Sequence, residues 1–148
     1  MKKNFLRTLV IVLWQVFLFT SCEKDSNIVT KKETKRAVFV YMIADNDLDF
    51  YATANINEME TFMAHKPEAG SVYVYIDRAK NRKTAHPILY QITADTSAKI
   101  NSKIIKVYPE NNSTNEKVLA EALSQVQTIC AINNEFLRGL VLWSHGSA

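Results

Sequence analysis

Apolar residues in the first half of the chain fall into runs and stripes that predict a strand, a helix and a second strand. A continuous apolar run at 37–44 predicts a strand that is covered on both faces. The residues that follow have apolar spacings of three and four, which predict one face of a helix: Leu48, Ala52, Ile56, Met59 and Met63. This helix is expected to end near Pro67 and Gly70, before the second strand at 71–77. The order suits a parallel crossover.

The second half of the chain continues the alternation. Two shorter apolar runs at 88–92 and 104–108 predict a pair of strands, interpreted as a hairpin at the edge of the sheet. Ser113 and Glu116 have the spacing of a capping box, which predicts the start of a second helix. Its apolar stripe consists of Leu119, Ala122, Leu123, Val126 and Ile129. A last run at 139–143 predicts another buried strand.

These elements predict an α/β fold, an open and mostly parallel sheet with helices on both faces. In such sheets, functional groups gather beyond the carboxyl ends of the strands. Asp45 and His145 come after two of the predicted strands, and Asp77 ends a third, so all three fall at that edge. The sequence therefore predicts a site there, although turns and helix caps also favour aspartate on structural grounds.

The amino terminus has the layout of a signal peptide, predicted for residues 1–21. A basic start is followed by an apolar stretch that is interrupted by Gln15 and is shorter than the roughly 20 apolar residues of a membrane span. The stretch ends on small residues before Cys22, which resembles the lipobox of bacterial lipoproteins. We therefore expect an exported lipoprotein of the cell envelope, lipidated at Cys22, with ordinary secretion as the alternative. Residues 22–36 are polar and charged and are expected to form a tether ahead of a domain at 37–148.

The charge balance argues against a nucleic-acid partner. The net charge of +3 comes from 18 basic and 15 acidic residues. Removing residues 1–21 removes three basic residues and no acidic one, so 15 of each remain. The remaining protein is formally neutral and predicts no basic groove for phosphates.

Neither metals nor disulfides are strongly indicated. The three histidines, His65, His86 and His145, are 21 and 59 residues apart. No two of them have the short spacing that is typical of zinc ligands, so zinc is not expected. Asp45 and Asp47, in the cluster before the first helix, offer oxygen ligands for calcium, but helix capping explains them more simply. With only Cys22 and Cys130 in the chain, no disulfide framework is expected.

Three segments together resemble the clostripain family of cysteine peptidases, whose fold is similar to that of caspases, gingipains and legumains. They are Val40–Leu48, Asn55–Met59 and Leu142–Ser147. The resemblance implies that His145 is the general base and that the backbone amide of Gly146 belongs to the oxyanion hole. It also implies a peptide or protein substrate that is cut after arginine, and calcium dependence is associated with some members. A base that titrates near neutral pH and a donor aimed at the oxyanion suit this chemistry.

The resemblance also implies a nucleophilic cysteine after a fourth core strand, and these 148 residues end before such a strand. We therefore expect the amino-terminal portion of a caspase-like peptidase fold that is inactive alone. Cys130 lies on the apolar face of the second helix and is expected to be a core residue. The alternatives are a non-catalytic surface lipoprotein that binds a peptide or protein partner, and an enzyme whose cysteine comes from a separate chain.

Overall fold

The computed structural model describes residues 34–79 and 86–145, which form five strands and two long helices. The predicted signal peptide, nearly all of the tether, Gly146 and most of the loop before the predicted hairpin lie outside the described residues. The strands are β1 (Lys35–Ala44), β2 (Ser71–Arg78), β3 (Ile88–Gln91), β4 (Lys103–Val107) and β5 (Glu135–Trp143). The helices are α1 (Asp49–His65) and α2 (Glu116–Ile132), and a short 3₁₀ turn, Pro67–Ala69, follows α1.

The strands form one sheet in the order β4-β3-β2-β1-β5. β1 lies between β2 and β5 and is parallel to both, whereas β3 is antiparallel to β2 and to β4. The mostly parallel sheet and the hairpin at its edge are therefore confirmed. In the parallel part, Tyr41 lies opposite Tyr75 on one side and Leu142 on the other. The carboxyl ends of β1, β2 and β5 consequently meet at one edge of the sheet.

Alternate residues of the strands supply two separate cores, one on each face of the sheet. Phe39, Tyr41, Tyr73 and Tyr75 pack on the α2 side, together with a stripe of that helix: Ala122, Val126 and Cys130. The other face packs on α1 through a second set: Val40, Met42, Val74, Ile76, Ala52, Ile56 and Met63. Fully burying a side chain of this size contributes about 1.5–3 kcal/mol, so both helices are held chiefly by the sheet. Helices on both faces are confirmed.

β5 differs from the buried strand that its sequence predicts. Within the described residues it pairs only with β1, and four of its apolar side chains are exposed: Phe136, Leu140, Val141 and Leu142, the last at 67%. Leu142 lies opposite Tyr41 and Val141 opposite Val40, so both faces of the strand carry exposed apolar groups. A strand that is apolar on both faces is typical of the middle of a sheet. Its composition alone therefore does not reveal its position in the strand order of the sheet.

The residues that cap the two helices also differ from those that the sequence predicts. No side chain caps α1, whose N-cap is Leu48. Instead, Asn46 forms the preceding turn, accepting from the Leu48 amide at 2.9 Å and donating to the Ile43 carbonyl at 3.0 Å. α2 is capped by Asn115, which accepts from the Lys117 amide at 2.9 Å. The predicted capping box is therefore wrong, because the Ser113 hydroxyl points into the protein and bonds Asp77.

The buried stripe of α1 contains two acids that the apolar pattern does not predict. It consists of Asp49, Ala52, Ile56, Glu60 and Met63, whereas Leu48 and Met59 are only partly buried. Asp49 accepts from Arg78 Nε at 2.8 Å, and Glu60 accepts from the Asn101 amide at 2.9 Å. These bonds offset the cost of burying a carboxylate. Neither long helix of the described chain has the length and apolarity needed to cross a membrane.

Candidate functional site

The candidate site lies where β1 and β5 end side by side. Met42 of β1 is opposite Trp143 of β5, so the turn at Asp45–Asp47 and His145 both emerge at this edge. The bonds of Asn46 to Ile43 and Leu48 fix the turn at its middle residue. The family-like segment at 40–48 and residues 142–145 of the segment at 142–147, distant in sequence, thus lie side by side through parallel pairing.

Asp47 and His145 are in direct contact. Asp47 Oδ1 lies 2.5 Å from His145 Nε2, although the residues are separated by 98 positions. The contact is open to solvent, with 46% of the His145 side chain and 82% of the Asp47 side chain exposed. The hydrogen bond and the charge of His145 lower the pKa of Asp47 below its ordinary value of 3.8. Asp47 is therefore ionised at neutral pH.

A second contact joins the end of β5 to α1. The indole Nε1 of Trp143 donates to Asn55 Oδ1 at 3.0 Å, across 88 positions. Asn55 belongs to the third family-like segment, so each of the three segments contributes a side chain to this corner. The bond holds the residue two positions before His145, and thus restricts the backbone that carries the imidazole.

A cavity of about 420 Å³ adjoins His145 on the α2 side of the sheet. Part of its wall is apolar and is formed by Ile43, Leu119 and Leu142. The rest includes the first residues of α2 and the segment before it, among them the exposed Glu116. Ser144 also borders the cavity beside His145. Its volume falls within the range of ordinary ligand pockets.

Buried polar groups hold the segment that leads into α2 against the sheet. Ser113 Oγ donates to Asp77 Oδ2 at 2.5 Å and lies 2.9 Å from the Tyr75 hydroxyl. The Tyr41 hydroxyl donates to the Ser113 carbonyl at 2.9 Å. Burial is the main cause that raises the pKa of Tyr41 and of Tyr75. Asp77, near the carboxyl end of β2, therefore supports the segment that forms this wall of the cavity.

Cys130 has no part in this corner. It is 3% exposed and lies in the core beneath α2. Burial is the main cause that raises the pKa of its thiol, and the nearby Glu135 raises it further. Glu135 begins β5, which is roughly 26 Å long at about 3.3 Å per residue, and His145 follows its other end. The core role predicted for Cys130 is confirmed, and a buried protonated thiol at the far end of the strand cannot be activated by His145.

The two calcium candidates, Asp45 and Asp47, are both exposed, and Asp47 bonds His145. The nearby Asp49 is engaged by Arg78, which also donates to Thr53. Among residues 34–79 and 86–145, no three His, Cys, Asp or Glu side chains come together as a metal site. Gly146, the predicted oxyanion donor, and Cys22, the predicted lipidation site, fall outside the described part of the chain.

Sequence reasoning placed His145 and Asp77 at the correct edge but missed their partners. The sequence predicts Asp47 as a helix cap or a calcium ligand, and Ser113 as a helix cap. Tyr75, which lies beside the Ser113 hydroxyl, belongs to an apolar run that gives no sign of a polar role. The one usable signal was the clustering of motif residues beyond parallel strands.

The comparisons with known proteins agree with this geometry. The model of the clostripain family matches residues 40–148. No curated protein sequence matches the chain significantly. Among solved structures, a Bacteroides fragilis cysteine protease is 34% identical, with 77% of this chain and 91% of that chain covered and a TM-score of 0.57.

Two structures from Bacteroides thetaiotaomicron are also similar. A clostripain in complex with the peptide inhibitor BTN-VLTK-AOMK shares the fold at 17% identity, with coverage of 78% of this chain and 93% of that chain and a TM-score of 0.60. A secreted C11 cysteine protease in complex with an irreversible peptide inhibitor is 25% identical, with a TM-score of 0.58. Here 77% of this chain aligns with only 30% of the other chain. The family model, the B. fragilis relative and the caspase-like sheet all lead to the conclusion that the chain belongs to the clostripain family of cysteine peptidases.

Proposed function

We propose that this chain supplies the base side of the active site of a cysteine endopeptidase that cleaves peptide bonds after arginine. The observation that carries the proposal is the position of His145, at the end of β5 beside a cavity of about 420 Å³ and in contact with Asp47. An exposed imidazole next to a side-chain-sized cavity is the arrangement that general-base chemistry on a bound peptide requires.

The proposed reaction begins with a proton transfer from a cysteine thiol to His145, which yields a thiolate and an imidazolium. The thiolate attacks the scissile carbonyl carbon, and the proton then passes to the leaving amine. The backbone amide of Gly146 is proposed to donate to the oxyanion. Cys130 is buried at the other end of β5, and Cys22 is proposed to carry lipid. The nucleophile is therefore proposed to come from outside these 148 residues.

Arginine as the preferred residue is supported by the lining of the cavity. Ile43, Leu119 and Leu142 offer apolar surface for an aliphatic stem, and Glu116 offers a carboxylate for the guanidinium. Lysine has a similar aliphatic stem and the same sign of charge, and the name of the inhibitor bound by the B. thetaiotaomicron clostripain contains VLTK. Arginine is favoured because its planar guanidinium group can donate two N–H groups to one carboxylate.

The test uses the protein in its native cells. The wild-type chain and a His145→Ala variant are each recovered by antibody from the cell envelope, together with any associated polypeptide. Both are then assayed with matched fluorogenic peptides that end in arginine, lysine or norleucine. We expect cleavage after arginine by the wild type and a loss of about 10²-fold or more in the variant. Equal cleavage by both preparations, or none by either, would refute the proposal.

A second candidate function is peptide binding without catalysis. It is favoured by the exposed edge of β5, where backbone groups on one side have no partner strand in the described residues. Extended peptides bind such edges by adding a strand. In this case a peptide that ends in arginine would be retained intact by the recovered protein, and His145→Ala would leave its affinity unchanged.

We further propose that the protein is exported and anchored in the bacterial envelope through lipid on Cys22. The support is the sequence of residues 1–22, with its basic start, apolar stretch and small residues before cysteine. Intact-mass analysis of the envelope fraction tests this proposal. A mature amino terminus at Cys22 with added diacylglycerol is expected, and an unmodified Cys22 would contradict it.

A further inference from the structure

The geometry points to Asp47 as a positioning residue that sets which nitrogen of His145 acts as the base. This inference rests on the proposed function and deepens it. Asp47 Oδ1 contacts Nε2 of the imidazole at 2.5 Å, and Nδ1 is the ring nitrogen that remains for a reacting group. Asp47 itself would not touch the substrate.

The direction of the hydrogen bond follows from the chemistry of the pair. At neutral pH the Asp47 carboxylate is ionised and can only accept. His145 Nε2 must therefore carry the proton, which leaves the lone pair of a neutral ring on Nδ1. A histidine that can accept a proton at only one nitrogen is always in the tautomer needed for catalysis. When Nδ1 takes a proton from a thiol, the resulting imidazolium is stabilised by the carboxylate already in contact with it.

The surroundings indicate that this contact serves the imidazole and not the fold. Asp47 does not cap α1, and the turn that presents it is closed by Asn46. Both members of the pair are substantially exposed, and exposed ion pairs contribute little to stability. Trp143 is bonded separately to Asn55. The backbone on both sides of the contact thus has its own support, and Asp47 can be replaced without loss of the turn or the strand.

The first experiment measures the tautomer of His145 by nitrogen NMR on the full chain labelled at histidine. There are only three histidines, and His145→Gln identifies the signal of interest. We expect neutral His145 to carry its proton on Nε2 in the wild type. In Asp47→Ala the proton should be shared between both nitrogens, and in Asp47→Glu the Nε2 form should be partly restored.

Asp95→Ala is the matched control. Asp95 is also a surface carboxylate, partly exposed, whose pKa is lowered by hydrogen bonds, in its case chiefly to Ser97 and Asn101. It lies on the loop between β3 and β4 and is not part of the site. Its replacement makes the same change in net charge and should leave the His145 tautomer as in the wild type.

The second experiment measures peptide cleavage by the assembled protein from the envelope. Asp47→Ala should lower kcat about ten- to hundredfold, with little change in KM, because only the base is misplaced. Asp47→Glu should recover part of the loss, and Asp95→Ala should match the wild type.

The outcomes separate the two proposals. A mixed tautomer in the wild type, or cleavage by Asp47→Ala at the rate of Asp95→Ala, overturns the role of Asp47 while leaving the peptidase assignment intact. An Nε2 tautomer that depends on Asp47, in a protein that cleaves no peptide, overturns the proposed function and with it the catalytic purpose of the pair.

Discussion

At the scale of single residues, the polar tips of buried aromatic side chains differ in what they contribute. Tyr75 and Tyr108 pack edge to face with ring centroids 5.3 Å apart. The Tyr75 hydroxyl lies 2.9 Å from Ser113 Oγ and 3.3 Å from Asn111 Oδ1. The Tyr108 hydroxyl is buried, and no group of the described residues bonds it. The two buried tyrosines therefore differ in whether their hydroxyl groups are bonded.

Replacing each tyrosine by phenylalanine should therefore change stability in different directions. Tyr75→Phe should lower the free energy of unfolding by about 1 kcal/mol, since it removes a bonded hydroxyl and leaves Ser113 without that partner. Tyr108→Phe should leave this free energy unchanged or raise it by up to about 1–3 kcal/mol, because an unbonded buried hydroxyl is removed. Urea unfolding of the two variants beside the wild type makes the comparison. A larger loss for Tyr108→Phe would show that its hydroxyl is bonded after all.

At the scale of elements, the start of α2 is fixed by the segment before it as much as by its own cap. Asn115 caps the helix from the outside, while Ser113 bonds Asp77 of β2 from the inside. The same segment forms part of the cavity wall beside His145. One buried serine thus connects the end of β2, the start of α2 and the candidate site.

Ser113→Ala should detach this segment from the sheet. We expect a loss of about 1–3 kcal/mol in the free energy of unfolding, because Asp77 loses a donor in a buried position. Amide hydrogen exchange in the first turn of α2 should become faster than in the rest of the helix. Ser124→Ala, on the exposed side of α2, is the control and should change neither quantity. Uniform exchange along α2 in Ser113→Ala would show that Asn115 alone fixes the helix start.

At the scale of the whole molecule, several tyrosines are buried or partly buried against the sheet. Burial is the leading cause that raises the pKa of five of them: Tyr41, Tyr73, Tyr75, Tyr90 and Tyr108. For Tyr108 the pKa is raised to about 12. In the unfolded chain the same groups ionise near an ordinary pKa of about 10. The folded state therefore holds protons that the unfolded state releases between these values.

Stability should consequently fall on the alkaline side. A raised pKa in the folded state contributes stability that is complete below about pH 10 and is lost as the pH rises through the folded value. The melting temperature should decrease steadily between about pH 10 and pH 12, with little change just below this window. Thermal unfolding followed by circular dichroism across this window measures it. The same melting temperature at both ends of the window would mean that the tyrosines ionise equally well in the folded protein.

The fold could be predicted from the sequence to a large extent because its signals are local. Apolar runs and stripes gave the strands, the helices, the parallel crossover and the edge hairpin, since periodicity reports which residues a single element buries. Element bounds shifted by a few residues, most of all in β5, which begins at Glu135 and not at Gly139. The acids buried in α1 were missed because their partners, Arg78 and Asn101, are remote in sequence.

By itself, the sequence determined the α/β class, the carboxyl edge where functional groups collect, and His145 as the residue of interest. Only the tertiary structure decided that Asp47 contacts His145, that Ser113 bonds Asp77, and that the apolar strand β5 is exposed within the described residues. The physical reason is that burial patterns are written into neighbouring residues, whereas a hydrogen bond between groups 98 positions apart depends on strand order and register. These are properties of the assembled sheet.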